Sequence, residues 1–369
     1  MRFVFVSYHY SADIHSPAEW ITRLRFYIGA SEHLATSHTV IRIDQINYTG
    51  SFTHQGVQYH CIESHKEKNY FPLKLHSLVK AMNPDIVIVS SLLFPLQVVQ
   101  LRLKLGKKVK IIIQNHAEHP FKGIRKYIQR LADRVVNAYL FASYEMGIEW
   151  VSSGNIGSKD KIHEVMEVSS VFYPINKTLA RSKTGMKEGH IFLWVGRLNN
   201  NKDPITVVKA FLAFARQNPG VWLYMIYQTT ELLEDIKNLV LIENTSPIIL
   251  TGPVTHADML NWYNAADLIL SGSHHEGSGT AICEAMSCGC IPVLTDIPSF
   301  RTITGHGQCG LLYPAGNVQA LESALGKALK LDLKDEYTKS LLQYNKELSF
   351  EVISRKLEQI ALSLLSTSI

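Results

Sequence analysis

The segment SGSHHEGSGTAICEAMSCGCIPV, residues 271–293, predicts a strand end, a loop, a helix and a second strand in direct succession. The glycines in its loop allow positive φ angles and let the backbone come close to a ligand. A helix that begins after such a turn presents unpaired amides and a favourable dipole to an anion, typically a phosphate. This order of elements is the one from which alternating α/β domains are built.

The same alternation runs through the whole chain. Short apolar segments rich in β-branched residues predict strands at residues 3–7, 39–43, 85–90, 109–114, 138–142, 191–196, 221–226, 247–252, 267–271 and 291–295. Helical patterns lie between the strands of the first half, at residues 17–35, 70–82, 95–105 and 121–135. Strands that are apolar throughout are typical of parallel sheets buried on both faces. We therefore predict an α/β protein with two Rossmann-like, doubly wound parallel-sheet domains facing a cleft, which is the expected site.

Length and charge agree with two domains. The 369 residues are 46% hydrophobic, enough for two cores. Residues 1–185 carry 23 Lys and Arg against 14 Asp and Glu, whereas residues 186–369 carry 14 against 18. The basic first half indicates either an anionic partner or solvated surface charge, and both interpretations stay open.

The cysteines and the apolar segments indicate in which cellular compartment the protein resides. Cys283, Cys288 and Cys290 lack zinc-type spacing and lie in an apparent core, which predicts buried thiols rather than a metal site. The first ten residues lack a signal-peptide core, and no run reaches the roughly 20 apolar residues of a membrane helix. We expect a cytoplasmic protein, with no nucleic-acid partner.

Two glutamates flank the glycine turn. Glu276 ends the loop and Glu284 lies within the following helix, on either side of the predicted anion site. Carboxylates placed there can accept hydrogen bonds from the hydroxyls of two rings joined by a diphosphate. In the alternative interpretation, Glu276 caps the helix and Glu284 makes a surface ion pair.

A cationic loop opens the second half of the chain. Gly196 ends a predicted strand, Arg197 follows it, and Lys202 precedes a helix for which Asp203 and Pro204 form a typical start. Arg and Lys together can neutralise the charge that builds on a departing diphosphate. A surface Arg and Lys near a loop is the alternative.

These motifs resemble the family-4 class of retaining glycosyltransferases, which have the GT-B fold. The resemblance rests on Gly196-Arg197-Leu198 with Lys202, on Glu276 and Glu284, and on CGLLYPAGN at residues 309–317. It implies that Arg197 and Lys202 bind the donor diphosphate, that Glu276 contacts the transferred sugar and that Glu284 contacts the nucleotide ribose. The implied donor site also includes Gly196, Gly277, Ser278, Gly279 and Thr280, and the base lies at Gly252, Pro253 and Val254.

The strand pattern and the composition predict the domain plan. We predict an acceptor-side domain at residues 1–180 and a donor domain at 186–348, with a linker at 174–190, which is polar and poor in large apolar residues. Periodicity predicts a helix in the last segment, residues 349–369, and the resemblance implies that it packs back on the first domain. The family pattern is altered at Tyr227-Gln228-Thr229 and at residues 297–301, and strand one lacks the usual glycine loop.

The first domain supplies two further candidates. His116 follows a strand, and by resemblance lies near the reacting sugar; a structural histidine bonded to a loop carbonyl is the alternative. Residues 121–134 predict a basic amphipathic helix, which suits either an anionic membrane surface or solvated charge over a core-facing helix.

The expected activity is transfer of a hexose, with retention, from a nucleoside diphosphate sugar to a hydroxyl in glycan, polysaccharide or glycolipid biosynthesis. The catalytic residues would be His116, Arg197, Lys202 and Glu276, with neither cofactor nor metal. The partners would be the donor, a glycan or lipid-linked acceptor, and the inner face of the membrane as a peripheral attachment. A nucleotide-sugar epimerase and a catalytically silent binding subunit are the alternatives.

Overall fold

The computed structural model of the protein describes residues 1–64, 70–241 and 246–366. The chain forms two compact units. Unit 1 comprises residues 1–169 and 350–369, and unit 2 comprises residues 170–349. The predicted division therefore shifts, because residues 170–180 belong to unit 2 rather than to the first domain.

Unit 1 begins with eight strands and five helices. They are β1 (Arg2–Ser11), α1 (Pro17–Ala35), β2 (Thr39–Ile46), β3 (Gly50–His54), β4 (Val57–Ile62), α2 (Leu73–Ala81), β5 (Ile86–Ser90), α3 (Pro95–Leu105), β6 (Lys110–Gln114), α4 (Gly123–Asp133), β7 (Ala138–Phe141), α5 (Tyr144–Ser152) and β8 (Ile162–Glu164). All five predicted strands and all four predicted helices of this half are present.

The sheet of unit 1 has the order β3-β4-β2-β1-β5-β6-β7-β8, and every pairing except that of β3 with β4 is parallel. The β3–β4 hairpin was not predicted, because its strands carry alternating polar residues instead of an apolar run. Its two-residue turn, Gln55-Gly56, has positive φ at both positions, the signature of the tight turns that join antiparallel strands.

Unit 2 contains six strands and eight helices within the described residues. They are α6 (Lys177–Thr184), β9 (His190–Gly196), α7 (Pro204–Gln217), β10 (Val221–Tyr227), α8 (Leu233–Leu241), β11 (Ile248–Gly252), α9 (His256–Ala265), β12 (Leu268–Ser271), α10 (Thr280–Ser287), β13 (Ile291–Thr295), α11 (Pro298–Ile303), β14 (Leu311–Tyr313), α12 (Val318–Ala328) and α13 (Leu333–Gln343). A π-helical turn, Tyr344–Leu348, follows α13.

The sheet of unit 2 is parallel throughout, with the order β11-β10-β9-β12-β13-β14. In its central strands, residues 191–194 of β9 and all four residues of β12 are buried, as the parallel-sheet prediction requires. The prediction of two doubly wound α/β domains is confirmed.

The predicted linker is wrong in one respect, because it contains helix α6. This helix is tied to the sheet of unit 2 by Asp267, which accepts hydrogen bonds from Lys177 (2.7 Å) and Arg181 (2.9 Å). The same carboxylate accepts from the amide of Ile191 at the start of β9 (2.8 Å). Basic residues that gave the segment a polar, linker-like composition thus hold a buried carboxylate.

The last helix, α14 (Phe350–Ser366), is part of unit 1. The ring of Phe350 lies against Gly29 of α1 so closely that a Cβ there would come within 2.3 Å of it. Nε2 of His38 lies 2.7 Å from Oε1 of Glu358, which adds a polar contact. Residues 367–369 of the predicted C-terminal segment lie outside the described residues.

Candidate active site

The predicted donor residues lie where the connections of the unit 2 sheet change direction. The chain moves from β9 through β10 to β11 on one side, and then returns to place β12 on the other side of β9. Because β9 and β12 are parallel neighbours, the loops that follow them meet at the same edge of the sheet. Ligands of doubly wound sheets bind at this switch point.

The loop after β9 is held in a tight conformation. Asp203 has a φ of 42°, unusual for a residue with a side chain, and its carboxylate accepts from the amide of Thr206 (3.2 Å). Helix α7 begins at Pro204, so the predicted cap and first turn are confirmed. Lys202 is thereby fixed next to the helix start, whereas the Arg197 side chain is exposed at the carboxyl end of β9.

Hydrogen bonds join this loop to the loop after β12. The Asn201 side chain donates to the carbonyl of His275 (2.9 Å) and accepts from its amide (3.1 Å). Nε2 of His274 lies 3.1 Å from a carboxylate oxygen of Asp203. Gly272 allows this approach, because a Cβ there would lie 2.9 Å from the carbonyl oxygen of Asp203.

Lys202 and Glu276 form an ion pair between the two loops, through Nζ and Oε1. Their side chains are 27% and 13% exposed, so both are largely withdrawn from solvent. The sequence predicted separate roles for them, one toward a phosphate and the other toward a sugar. Their contact places a cation and a carboxylate together at the topological switch point of the unit 2 sheet.

The glycine turn leads directly into α10. Gly279 precedes the helix with a φ of 56°, and a Cβ there would come within 2.8 Å of the Phe300 ring. Ser278 is buried, and its hydroxyl has no hydrogen-bond partner among the described residues. No described side chain caps the helix, which begins at Thr280, so the alternative in which Glu276 is the cap is wrong. The helix start keeps the amides and the dipole that favour an anion.

Glu284 is buried within unit 2 and held by two partners. The Tyr263 hydroxyl donates to Oε2 (2.8 Å), and Nε2 of His256 lies 3.3 Å from Oε1. Only 8% of Glu284 is exposed, so the alternative of a surface ion pair is wrong. Burial and the charge of Glu284 raise the pKa of Tyr263 well above its ordinary value, which keeps its hydroxyl a donor. The ring of His256 stacks on that of Phe172, with centroids 4.5 Å apart.

Sequence reasoning missed Tyr263 and His256. Both lie on α9, seven positions apart and therefore on one face of the helix. The predicted base-binding residues Gly252, Pro253 and Val254 lie just before this helix, at the carboxyl end of the edge strand β11. The spacing of His256 and Tyr263, directly after a predicted strand end, was the sequence signal that could have identified them.

The altered segment after β10 has a structural role. The hydroxyl of Thr229 accepts a hydrogen bond from the amide of Leu198 (2.8 Å). This contact ties the end of β10 to the residue that follows Arg197. The departure from the family pattern at residues 227–229 therefore supports the cationic loop.

His116 lies in unit 1, two residues after β6. Its Nδ1 is 2.5 Å from Oε2 of Glu167, and its amide donates to Glu118 (2.6 Å). Burial by itself would lower the pKa of His116, but the charge of Glu167 and the hydrogen bond to it outweigh burial and raise that pKa. The loop also holds Ala117 at a φ of 70°, a strained conformation for alanine. The alternative of a histidine bonded to a loop carbonyl is wrong, since its partner is a carboxylate that sequence reasoning did not single out.

Residues 176–347 match the family described as "Glycosyl transferases group 1". This domain belongs to the group 1 glycosyltransferases. Curated relatives include D-inositol 3-phosphate glycosyltransferases from Thermobispora bispora (24% identical over 43% of this chain and 40% of the relative) and Pseudarthrobacter chlorophenolicus (28% identical over 39% of this chain and 35% of the relative). The matched segments thus span about two fifths of the length of these relatives.

Solved structures extend the likeness to the whole fold. A glycosyltransferase from Rickettsia africae has a TM-score of 0.73 at 17% identity, covering 100% of this chain and 99% of that one. Anabaena Alr3699/HepE in complex with UDP and glucose has a TM-score of 0.70 at 14% identity, covering 98% of this chain and 100% of that one. At these identities the likeness establishes the fold, which is the GT-B fold of glycosyltransferases.

The basic helix of unit 1, α4, exposes apolar side chains that a core-facing helix would bury. On α4, Ile124, Tyr127 and Leu131 are 77%, 72% and 53% exposed, whereas Gln129 and Ala132 are buried. The apolar residues on one face of this helix are therefore largely exposed. Basic residues occupy other positions on and beside this helix, namely Lys122, Arg125, Lys126, Arg130 and Arg134.

Three general features of the GT-B protein complete the description. All five cysteines are buried and free. In residues 1–64, 70–241 and 246–366, no helix is long and apolar enough to cross a membrane. Over the same ranges, no group of three or more His, Cys, Asp or Glu side chains is arranged to hold a metal ion.

Proposed function

We propose that this protein is a retaining glycosyltransferase of the family-4 type, which moves a hexose from a nucleoside diphosphate sugar to a hydroxyl acceptor. The observation that carries the proposal is the Lys202–Glu276 pair, which lies beside the uncapped start of α10 in a group 1 glycosyltransferase domain. Support comes from the structures of Anabaena Alr3699/HepE with UDP and glucose and of an E. coli protein bound with UDP-2-fluoro glucose, which have the same fold. The product would be a glycan, a polysaccharide or a glycolipid.

The donor diphosphate would be bound by three sources of positive charge. Arg197 is exposed and makes no ion pair with another described residue, so its fork is free for phosphate oxygens. Lys202 can exchange Glu276 for a phosphate, and the amides at Thr280 add the dipole of α10. These groups would neutralise the departing diphosphate without requiring a metal ion.

The two glutamates would bind opposite ends of the donor. Glu276, on the loop before the glycine turn, would contact the transferred sugar. Glu284, fixed by Tyr263 and His256, would accept hydrogen bonds from the ribose hydroxyls. The base would lie beside Gly252, Pro253 and Val254, which directly precede the helix that carries both partners of Glu284.

The proposed chemistry is front-face displacement. The bond from the anomeric carbon to the diphosphate oxygen breaks, the acceptor oxygen bonds to the same face of that carbon, and a phosphate oxygen takes the acceptor proton. His116 would hydrogen-bond sugar hydroxyls, since Glu167 fixes its ring through Nδ1 and leaves Nε2 available.

Donor hydrolysis and product analysis test the proposal. The purified protein should be stabilised against heating by one class of nucleotide sugar and should slowly release the nucleoside diphosphate from it. Free nucleoside diphosphate together with the intact hexose would support a transferase. An epimerised nucleotide sugar formed without any acceptor would establish the epimerase instead. If the protein neither bound nor hydrolysed a donor of any common base, the catalytically silent subunit would be the remaining interpretation.

We also propose that α4 attaches the protein to the inner face of a membrane, as a peripheral contact from the cytoplasm. Exposed Ile124, Tyr127 and Leu131 would enter the interface between headgroups and acyl chains, and the Lys and Arg side chains on and beside the helix would contact anionic headgroups. Solvated charge alone would not account for three large apolar side chains exposed on one helix.

A further inference from the structure

Unit 1 contains a cavity of about 380 Å³ on one face of its sheet. This volume falls within the roughly 300–1,000 Å³ that small-molecule sites occupy. Strands β1 and β5 form the floor through Phe5, Ser7, Ile88 and Ser90, and helices α1 and α14 form the roof. The site proposed above does not use this cavity beyond His116 at its margin.

The two faces of the sheet are packed differently. Side chains alternate along a strand, so Val4, Val6, Val87 and Val89 point to the opposite face, where each is at most 1% exposed within a continuous core. On the cavity face, serines end the paired strands β1 and β5, since Ser7 is in register with Ser90. Small side chains under a helix leave space, and protein interiors otherwise leave few such voids.

Apolar side chains dominate the walls. Trp20, Leu24 and Tyr27 project from one turn after another of α1, and Ile353 and Leu357 lie on one face of α14. Against these side chains a sugar would lose the hydrogen bonds between its hydroxyls and water, which is costly where no polar group replaces them. A hydrocarbon group loses nothing of this kind and gains by leaving water.

The charged groups in the walls do not suit an anion. Arg42 pairs with Asp44 (3.4 Å) and His116 pairs with Glu167, so each of these cations is already matched by a carboxylate. Glu118 contributes a further carboxylate at the carboxyl end of β6. A phosphate or carboxylate on the ligand would therefore meet net negative charge, whereas a neutral hydroxyl can bond to these groups.

We propose that this cavity binds an aliphatic chain of an uncharged acceptor, whose hydroxyl lies toward His116 at the margin. The inference rests on the proposed glycosyltransferase function and narrows its acceptor from any hydroxyl compound to an alcohol or glycoside that carries a hydrocarbon chain. A chain running between Trp20 and Leu357 would occupy the space that the small side chains leave.

Calorimetry with n-octyl β-D-glucoside and methyl β-D-glucoside, both below the micellar concentration, tests the cavity directly. Each buried methylene should contribute about fourfold in affinity, so we expect the octyl compound to bind at least about tenfold more tightly. Ala30→Phe on α1 and Leu357→Trp on α14 fill the cavity from two sides and should remove that preference. Ala18→Phe, at an exposed position of α1, is the matched control and should retain it.

Two results would overturn the inference: equal binding of the two glucosides to the wild-type protein, or an octyl preference that persists in a folded cavity-filled variant. Thermal unfolding identifies which variants are folded. If neither cavity-filled variant is folded, the comparison of the two glucosides on the wild-type protein decides. Uridine and guanosine diphosphates are titrated into the same samples. In the wild-type protein, diphosphate binding without an octyl preference contradicts the cavity assignment alone. An octyl preference without diphosphate binding contradicts the proposed function alone.

Discussion

Lys202 and Glu276 lie 74 residues apart in sequence and form an ion pair where the loops after β9 and β12 meet. Neither side chain is free to act independently while this pair holds. A diphosphate that reaches Lys202 must compete with the carboxylate, and the release of Glu276 would then leave it available to the sugar. In the proposed function, the pair would couple phosphate binding to the position of the carboxylate.

This coupling predicts opposite effects on binding and turnover. In Glu276→Gln the negative charge is lost and Lys202 is released, so free nucleoside diphosphate should bind as tightly as to the wild type or more tightly. Turnover should fall by about 100-fold or more, since a contact to the reacting sugar strengthens as positive charge develops there. Calorimetry with the free diphosphate and initial rates with the nucleotide sugar provide the two measurements.

Lys202→Met provides the second arm of a double-mutant cycle. It should weaken diphosphate binding, and the double variant should differ from the sum of the single variants because the residues are in contact. Additive effects on binding, or a Glu276→Gln variant that loses the free diphosphate, would contradict the coupling.

Arg197 should matter for turnover and not for stability. Arg197→Ala removes an exposed fork that contributes no ion pair to the fold, so the melting temperature should stay within about 1 °C while turnover falls by orders of magnitude. Arg216→Ala, in the last turn of α7 and so at the far end of that helix, is the control for turnover. Near-normal turnover in Arg197→Ala would remove this residue from the donor site.

Tyr263 offers a test of the ribose end. Tyr263→Phe deletes only the hydroxyl that holds Glu284, which should weaken nucleoside diphosphate binding by about fivefold to tenfold, from about 1 kcal/mol for one hydrogen bond. The kcat at saturating donor should change little, because a ribose contact is made equally in the ground state and the transition state. Glu284→Gln should follow the same pattern more strongly. A lowered kcat with unchanged diphosphate affinity in either variant would contradict the assignment of Glu284 to the ribose.

The strand and helix pattern could be predicted from sequence because each central strand contains a continuous apolar run. The β3–β4 hairpin and helix α6 could not be predicted. The hairpin strands alternate polar residues, and α6 is a short polar helix whose Arg181 finds its partner, Asp267, 86 positions away. Such a contact carries no local signal. The same reason explains why Lys202 and Glu276 were found separately while their pairing was not.

Residues identified by motif were easier to predict than the residues that support them. Arg197, Glu276 and Glu284 lie at strand ends or on a glycine turn, where local spacing indicates chemistry. Tyr263 acts through the side chain of a distant element and is marked in the sequence only by its spacing from His256. Glu167 also acts through a distant side chain, and nothing near it in the sequence marks a function. The exposed apolar side of α4 was likewise hidden, since periodicity defines a face but not which side is buried.

The His116–Glu167 pair should make unit 1 more stable at low pH. The folded-state pKa of His116 is raised, so its contribution is complete below the unfolded value of about 6.5 and is lost as pH rises through the folded value. Glu167→Gln should therefore reduce the free energy of unfolding by about 1.5 kcal/mol at pH 6 and by progressively less at higher pH. Urea unfolding across that range is the measurement.

Titration of the His116 ring by NMR separates this effect from general destabilisation. In Glu167→Gln its pKa should fall, because burial then acts without the opposing carboxylate. Glu149→Gln, an exposed carboxylate on α5, should leave the titration unchanged. An unaltered His116 titration in Glu167→Gln would show that the pair does not control this ring.

Helix α4 should direct the protein to anionic membranes. The protein should sediment with vesicles containing phosphatidylglycerol and not with pure phosphatidylcholine vesicles, and binding should weaken in 0.5 M salt, where charges are screened within about 4 Å. A combined Lys122→Gln, Arg125→Gln, Lys126→Gln variant should bind about 100-fold more weakly, from about 1 kcal/mol for each basic residue near the surface. Ile124→Ser with Leu131→Ser should also weaken binding, because it removes exposed apolar area, whereas Leu362→Ser changes a residue that is 52% exposed on α14 and should have no effect. If the protein bound neutral and anionic vesicles equally, or bound neither, the exposed face of α4 would serve a partner other than an anionic lipid surface.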